Sequence, residues 1–301
     1  DMHQDSSPVR SPNKEACLNK GASLSKGVKP LAVTFVSLFP DSLQSMLQTS
    51  VVGRAVRTGR VAISTQDIRQ HGLGKHKRVD EAPFGGGPGQ LMRVDVVVSA
   101  LRAALARAPS RARVPSRVAT EGRGKQRVIL VDAAGESFTP AHAKQFAQQD
   151  HLVFVCGRYE GIDSRIYHYV DDVISVGDYV LTSGELASLV VLDATLRYVP
   201  GVLGNPQSSR CDSFEEGLLE HSQYTAPLEF EGRHVPDVLR CGHHARVAAA
   251  QRAERLIRTK LMRPKLFDKA TLCETDRKLV GKAEPSTFPW SHHVSTTNKK
   301  T

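Results

Sequence analysis

Short apolar runs alternate with segments of mixed polarity over residues 31–198, and this alternation predicts the fold of most of the chain. The apolar runs predict β-strands at 31–39, 61–68, 127–132, 152–156 and 173–176. The segments between them predict helices at 41–57, 94–108, 140–149, 163–170 and 184–198. Because strands that alternate with helices usually form a parallel sheet covered by helices, the predicted fold class is α/β.

The pattern changes after residue 204 and predicts a small helical C-terminal domain. The strongest helix there, 244–262, carries an apolar stripe among its arginines, formed by Val247, Leu256, Ile257 and Leu261. The predicted organisation is a first domain with a basic connector, an interdomain linker and a helical domain, at 30–204 (connector 109–126), 205–212 and 213–270. Both ends of the chain are polar and lack periodicity, which predicts a disordered N-terminal extension and a disordered C-terminal tail at 1–29 and 271–301.

Two of the predicted strands end at a glycine, one before Gly157 and one before Gly177. Parallel sheets bind ligands at loops that follow the carboxyl ends of their strands. We therefore expect a binding site near these two glycines. A tight turn with no ligand is the alternative at any single glycine.

Composition excludes several classes of protein. The chain has 301 residues, and no apolar run approaches the roughly 20 residues that cross a bilayer. The N-terminal segment lacks the apolar core of a signal peptide, so the expected location is the cytoplasm and no membrane partner is expected. The five cysteines show no CxxC spacing, and the adjacent histidines of the CGHH sequence at 241–244 cannot easily face one ion; no metal site is predicted.

The basic residues of the chain are concentrated in two segments, and their positions suggest a binding partner. The chain carries 41 basic and 31 acidic residues. Six basic residues accompany one acidic residue in 111–127, and nine accompany two in 240–269. Such clusters attract polyanions and favour a nucleic acid as partner, although a solvated basic face is the alternative.

Two glycine-rich sequences do not match known phosphate-binding motifs. GGGPG at 85–89 lacks the spacing of GxGxxG, and GRGKQ at 122–126 has Gln126 where a P-loop needs Ser or Thr. Neither supports a dehydrogenase or a nucleotide hydrolase. The GGGPG loop is more typical of a structural turn.

Nine short motifs occur in a characteristic order between residues 31 and 267: SLFPD, GRAV, GGGPG, CGRYEGID, GDYVLTSGEL, PGVLG, DSFEEGLLE, YTAP and VPDVL. In this order they resemble the bacterial tRNA (guanine-N(1))-methyltransferases of the trefoil-knot (SPOUT) superfamily. The resemblance implies a knotted parallel-sheet methyltransferase domain followed by a small helical domain. It also implies a homodimer whose active site lies at the subunit interface. The methyl donor would be S-adenosylmethionine, with magnesium as a possible addition, and the partner would be tRNA and not DNA.

The resemblance places the methyl donor among glycine-ended loops and apolar side chains, which supply backbone hydrogen-bonding groups and a pocket for adenine. The implied cofactor-binding residues are Leu130, Gly157, Glu160, Val176, Gly177, Asp178, Tyr179, Val180, Leu181, Ser183 and Gly184.

The implied product is guanosine methylated at ring nitrogen 1, immediately 3′ of the anticodon. That nitrogen carries a hydrogen at neutral pH, so a general base is required. The resemblance assigns this role to Asp212, and Arg197 would stabilise the negative charge that develops on guanine. An ordinary helix N-cap is the alternative for Asp212.

Six basic residues are candidate RNA-binding residues: Arg158, Arg165, Arg252, Arg255, Arg258 and Lys260. Arg158 and Arg165 could instead bind the donor carboxylate or have no specific role. Two other functions are alternatives: a noncatalytic RNA-binding relative, and a knotted methyltransferase that acts on ribosomal RNA. The chain departs from the family pattern at Ala133, Ala134, Ser183, Ala226 and Ala250, and these departures concern the pocket rim and tRNA contact.

Overall fold

The computed structural model describes residues 29–107, 125–203, 212–282 and 288–290. The chain divides into two compact units, one up to Gly204 and one from Asn205. The predictions for 1–28, for most of the basic connector and for nearly all of the linker lie outside the described residues. Within the described part, no helix combines the length and the apolarity that a membrane span needs.

The first unit contains seven strands. They are β1 Leu31–Ser37, β2 Val61–Asp67, β3 Asp80–Glu81, β4 Leu91–Met92, β5 Gln126–Ser137, β6 His151–Val155 and β7 Asp172–Ser175. Five of them form one parallel sheet in the order β2-β1-β6-β5-β7, while β3 and β4 form a small antiparallel pair. The predicted α/β class with a parallel sheet is confirmed.

The helices of this unit alternate with the strands. They are α1 Gln44–Gln48, α2 Ser50–Arg57, α3 Val94–Ala106, α4 Pro140–Ala147 and α5 Gly184–Leu196, with 3-10 turns at Pro40–Leu43, Ile68–His71 and Ser164–Tyr169. The single helix predicted at 41–57 is wrong, because Thr49 is extended and Ser50 has a positive φ of 54°. The helix predicted at 163–170 is a short 3-10 turn instead.

The core lies on both faces of the sheet. All five residues of β6 are buried, as expected for a central parallel strand. Its Phe154 stacks on Phe35 of β1, with ring centroids 5.4 Å apart, in one apolar layer. Val153 and Val155 point into the other layer, which packs against α3. The carboxyl ends of the parallel strands thus reach one edge of a rigid sheet.

Strand β5 runs further than predicted and contains an irregularity. Both Val131 and Glu136 pair with Ile174 of β7, so the residues between them bulge out of the ladder. The bulge contains Ala133 and Ala134, two of the departures from the family pattern.

The second unit is largely helical. Its elements are the hairpin β8 Glu229–Phe230 and β9 Arg233–His234, then α6 Asp237–Arg240, α7 His244–Met262, α8 Pro264–Phe267 and α9 Glu274–Lys282. The helix predicted at 244–262 is confirmed with both ends in place. Leu256 and Ile257 of its predicted stripe are buried.

Within the predicted disordered tail 271–301, the described residues include the helix α9 and the buried Trp290, while 283–287 and 291–301 lie outside the described residues. Two contacts join α9 and Trp290 to α7. Asp276 pairs with Arg252 at 2.8 Å, and the Trp290 indole donates a hydrogen bond to Glu254 at 2.9 Å. These contacts join residues far apart in sequence, so local periodicity does not reveal them.

Candidate functional site

A cavity of about 240 Å³ lies at the carboxyl edge of the parallel sheet. Its walls come from the bulge of β5, the loop after β6 and the loop between β7 and α5. Nine of the predicted cofactor-binding residues line it: Gly157, Glu160, Val176, Gly177, Tyr179, Val180, Leu181, Ser183 and Gly184. The structure thus brings together positions that the family resemblance assigned to one ligand.

Two predicted cofactor positions lie elsewhere. Leu130 is buried in the apolar layer beside α3, one residue before the cavity wall begins at Val131. Asp178 is exposed in the loop after β7. Other lining residues were not predicted as cofactor-binding, among them Asp132 and Tyr159, while Ala133 lies in the wall beside which the resemblance placed it. Tyr159 has a positive φ of 59°, a strained conformation that residues at functional sites often adopt.

Gly184 closes the cavity through its backbone. Its N–H donates to the carbonyl of Gly157 at 2.9 Å. A Cβ at Gly184 would lie 2.5 Å from the Gly157 nitrogen and 2.9 Å from Cα of Cys156. Only glycine fits this close approach of the two loops.

Gly177 is the second glycine that the geometry requires. Its φ of +143° lies in a region that side chains disfavour, and a Cβ there would lie 2.5 Å from the Tyr179 ring. The Tyr179 hydroxyl in turn donates to the carbonyl of Val176 at 3.0 Å. The tyrosine therefore folds back over the glycine at the cavity.

The GGGPG loop, expected to be a structural turn, lies against the cavity wall. Glu160 donates its N–H to the carbonyl of Gln90 at 3.0 Å. A Cβ at Gly89 would lie 2.3 Å from Cγ of Glu160. The loop therefore supports the segment that carries Glu160.

Cys156 lies beneath the same loops and is fully buried. Burial raises the pKa of its thiol above the ordinary value, so the thiol stays protonated. A buried and protonated thiol of this kind is unreactive, as structural cysteines are.

Arg158 lines the cavity, and Glu185 of α5 holds it from behind. The Arg158 Nε lies 3.0 Å from a Glu185 carboxylate oxygen, and its guanidinium lies over the Phe39 ring at 4.7 Å. Sequence reasoning did not single out Glu185, because a glutamate in the first turn of a helix is usually an exposed residue.

Arg165 lies in the 3-10 turn after β6 and pairs with Asp163, with the Nε 2.9 Å from a carboxylate oxygen. The hydrogen bond from Arg165 lowers the pKa of Asp163 below its ordinary value. The Arg165 side chain remains 67% exposed, so its outer face stays accessible to an anion.

The two predicted catalytic residues belong to different units, and each is described within its own. Arg197 is exposed and forms the C-cap of α5. Asp212 is half-buried, and its carbonyl accepts the N–H of Glu215 at 3.4 Å. The residues after Asp212 form turns and not an α-helix, so the alternative of an N-cap is wrong.

The basic residues of α7 differ in their surroundings. Arg252 pairs with Asp276 and Glu216, and Arg255 pairs with Glu216 at 3.1 Å. Arg258 donates to the carbonyl of Glu220 at 3.2 Å. Lys260 is exposed. Three of the four predicted RNA-binding side chains on α7 thus also hold the unit together.

The cavity suits a small molecule with both apolar and polar parts. Val131, Ala133 and Leu181 offer apolar surface, while the glycine loops offer bare backbone groups and Glu160 a carboxylate. No group of three His, Cys, Asp or Glu side chains arranged to hold a metal ion is found among the described residues. The magnesium expectation stays a prediction.

Comparison with known proteins identifies the family. The family model described as tRNA (Guanine-1)-methyltransferase TrmD matches residues 31–269. The tRNA (guanine-N(1)-)-methyltransferase of Syntrophotalea carbinolica is 44% identical over 245 residues, which is 81% of this chain and 93% of the relative. The proteins of the same name from Myxococcus xanthus and Thermus thermophilus are 42% and 41% identical, covering 85% and 83% of this chain and 98% of each relative. The chain belongs to the tRNA (guanine-1)-methyltransferase family.

Proposed function

We propose that this protein methylates ring nitrogen 1 of guanine in tRNA, at the guanosine immediately 3′ of the anticodon, with S-adenosylmethionine as the methyl donor. One observation carries the proposal. In a chain that matches the family over residues 31–269, nine predicted donor-binding residues line a single cavity.

The cavity residues fit the donor. The apolar surface of Val131 and Leu181 suits a purine ring, and Glu160 can accept hydrogen bonds from ribose hydroxyls. Because Gly184 has no Cβ, its backbone can lie directly against that of Gly157 and Cys156 and close the cavity wall. S-adenosylmethionine, when bound, supplies an electrophilic methyl group on its sulfonium.

Asp212 has the chemistry of the general base. Its carboxylate would take the proton from guanine nitrogen 1 and leave the bonding electron pair on that nitrogen. This pair would bond to the methyl group, and the donor would leave as a neutral thioether. Arg197 would stabilise the negative charge that spreads to the guanine oxygen as the hydrogen leaves. The always-charged guanidinium lowers the energy of this anion and so assists a weak base.

We also propose the homodimer and the trefoil knot. The face of α5 that ends at Arg197 supports the dimer. Leu186, Val190, Asp193 and Arg197 follow one another at helical spacing, and all four are exposed. The two apolar side chains are 50% and 46% exposed, a surface that a second copy could cover. An active site at that interface would bring a second subunit next to Arg197.

The function is tested by methyl transfer from labelled S-adenosylmethionine to an unmodified tRNA transcript. Methylation is expected with guanosine 3′ of the anticodon and is expected to vanish when that guanosine is replaced by adenosine. Methylation of ribosomal RNA but not of tRNA would instead identify a methyltransferase that acts on ribosomal RNA. Binding of tRNA without turnover would identify a noncatalytic relative.

Asp212→Asn tests the base. The amide cannot accept the proton, so kcat should fall by about 100-fold or more while the Kd for S-adenosylmethionine changes by less than about twofold. Asp237→Asn is the matched control, because Asp237 is an exposed aspartate at the start of α6. Equal loss of turnover and donor affinity in Asp212→Asn would assign a structural role to this residue.

A further inference from the structure

We propose that Glu185 is a positioning residue that sets the affinity of the cavity for the methyl donor by holding the guanidinium of Arg158 in place. The inference rests on the proposed function, since it takes the cavity to be the donor site. Glu185 acts through Arg158, and the donor itself would touch only the arginine.

The burial of Glu185 is the first observation. The residue is 3% exposed, which is rare for a glutamate. A buried carboxylate is costly unless charged or hydrogen-bonding groups compensate it. Ser37 provides one compensation, because its hydroxyl donates to Oε1 of Glu185 at 2.5 Å. Arg158 provides the other, with Nε 3.0 Å from Oε2.

The three residues belong to three segments that meet at the carboxyl edge of the sheet. Ser37 is the last residue of β1, Arg158 follows β6, and Glu185 is the second residue of α5. The Glu185 side chain therefore links the end of one strand to two loops that line the cavity. A change in its charge is transmitted to both loops.

The orientation of Arg158 is fixed from several sides. The Phe39 ring lies 4.7 Å from its guanidinium, and Nη1 approaches the carbonyl of Thr182 at 3.5 Å. The contact with Glu185 is an ion pair whose atoms, Nε and Oε2, are buried and not aligned as a hydrogen bond. The attraction is therefore chiefly between charges.

The arginine keeps donors for a ligand. A guanidinium has five N–H groups, and Glu185 and Thr182 face only part of them. The Arg158 side chain is 23% exposed and lines the cavity. Its remaining N–H groups are available to an anionic group in the cavity, such as the carboxylate of the methyl donor.

A purely stabilising ion pair is the competing explanation, and it makes a different prediction. Removing such a pair lowers the free energy of unfolding and leaves ligand affinity alone. The experiment therefore measures the Kd for S-adenosylmethionine by titration calorimetry and the melting temperature for the same set of full-length variants.

Glu185→Gln keeps the size of the side chain and its acceptor for Ser37 but removes the charge. We expect the Kd to rise about tenfold. Asp172→Asn is the matched control, because Asp172 pairs with Arg127 at 3.4 Å and is 16% exposed, at the opposite edge of the sheet. This control should leave the Kd within about twofold, whatever its effect on the melting temperature.

The route through Arg158 is tested by a double-mutant cycle. Arg158→Gln should raise the Kd at least as much as Glu185→Gln, and the double variant should bind no more weakly than Arg158→Gln alone. Additive losses would overturn the role of Arg158 as intermediary. If Glu185→Gln does not fold, Ser37→Ala carries the test, since it releases Oε1 and should raise the Kd about threefold.

The outcomes separate this inference from the proposed function. A wild-type protein that does not bind S-adenosylmethionine would refute the proposed function. A wild-type protein that binds it, together with a Glu185→Gln variant of equal affinity and lower melting temperature, would refute only the positioning role.

Discussion

Gly184 is the residue at which the backbone of one loop touches that of another. The atoms nearest to an added Cβ all belong to the backbone of Gly157 and Cys156, at 2.5 to 3.0 Å. Backbone atoms cannot rotate away as a side chain can. Gly184→Ala should therefore separate the two loops, lower the free energy of unfolding by about 1–3 kcal/mol and raise the Kd for S-adenosylmethionine at least tenfold.

Gly281→Ala is the control for this substitution. No heavy atom lies within 4 Å of a Cβ at Gly281, which is in α9. Alanine favours a helix over glycine by about 0.5–1 kcal/mol, so this variant should be as stable as the wild type or slightly more so. Urea unfolding and donor titration measure both variants. Unchanged affinity in Gly184→Ala would show that the loops tolerate a methyl group.

His151 gives the first unit a stability that depends on pH. It is 2% exposed, and burial lowers its pKa to about 4. Its ring contacts Thr34 at 2.9 Å and Gln126 at 3.2 Å, neither of which titrates. The unfolded chain has an ordinary histidine pKa of about 6.5 and takes up a proton first as the pH falls.

Because the unfolded chain is protonated first, the free energy of unfolding falls as the pH falls. The contribution of His151 is present in full above pH 6.5 and is lost progressively as the pH falls from about 6.5 to about 4, by roughly 3 kcal/mol. Urea unfolding at several pH values measures the loss. His151→Gln should flatten the dependence in this window, and His76→Gln, at an exposed histidine, should not. An equal slope in wild type and His151→Gln would contradict the assignment.

At the scale of elements, α7 is held by residues that follow it in the chain. Trp290 is 7% exposed, stacks on Phe288 at 5.2 Å and donates to Glu254 at 2.9 Å. Trp290→Ala should lower the free energy of unfolding of the second unit by about 3 kcal/mol.

Trp290→Phe separates the two contributions of the indole. The phenyl ring keeps the stacking but lacks the N–H that faces the Glu254 carboxylate. This loss should lower the free energy of unfolding of the second unit by about 1.5–3 kcal/mol. Urea unfolding followed by far-UV circular dichroism measures both variants. An unchanged transition in Trp290→Ala would mean that this tryptophan does not support α7.

The elements show what the sequence pattern contains and what it lacks. The helix at 244–262 was predicted with correct ends because its apolar residues, set among arginines, fall at helical spacing over its C-terminal half. The break at Thr49 was missed because no glycine or proline marks it. The helix α9 was missed because its order comes from contacts such as Asp276 with Arg252, where the arginine lowers the pKa of the carboxyl below its ordinary value.

The candidate site also has features that the sequence predicted and features that it did not. Its glycine-ended loops were predicted, since glycine at the end of an apolar run is visible in the sequence. The support of Arg158 by Glu185 was not, because burial of a glutamate depends on which segments meet at the sheet edge. The bulge that brings Ala133 to the cavity depends likewise on the register of β5 against β7.

At the scale of the whole molecule, the net charge of +10 should make tRNA binding steeply dependent on salt. Lys260→Gln should weaken binding and reduce the slope of log affinity against log salt by about 1, if Lys260 contacts one phosphate. It is a better test than Arg252→Gln, because Arg252 is ion-paired within the unit and its loss would also lower stability.

Lys278→Gln is the control, at an exposed lysine that pairs with Glu274 within α9. Its slope should equal that of the wild type. Filter binding to the tRNA transcript at four or more salt concentrations provides the slopes. The same slope for Lys260→Gln and for wild type would move the RNA-contacting surface away from this end of α7.

The five buried residues of β6 separate two regions of the first unit. His151 is its first residue, and Gly157 lies just past its other end. The strand is about 17 Å long at roughly 3.3 Å a residue, and its interior has no room to rearrange. Substitutions around His151, at the amino-terminal rim of the sheet, can therefore be used to improve stability. The cavity beside Gly157, at the opposite rim, should keep its geometry in such variants.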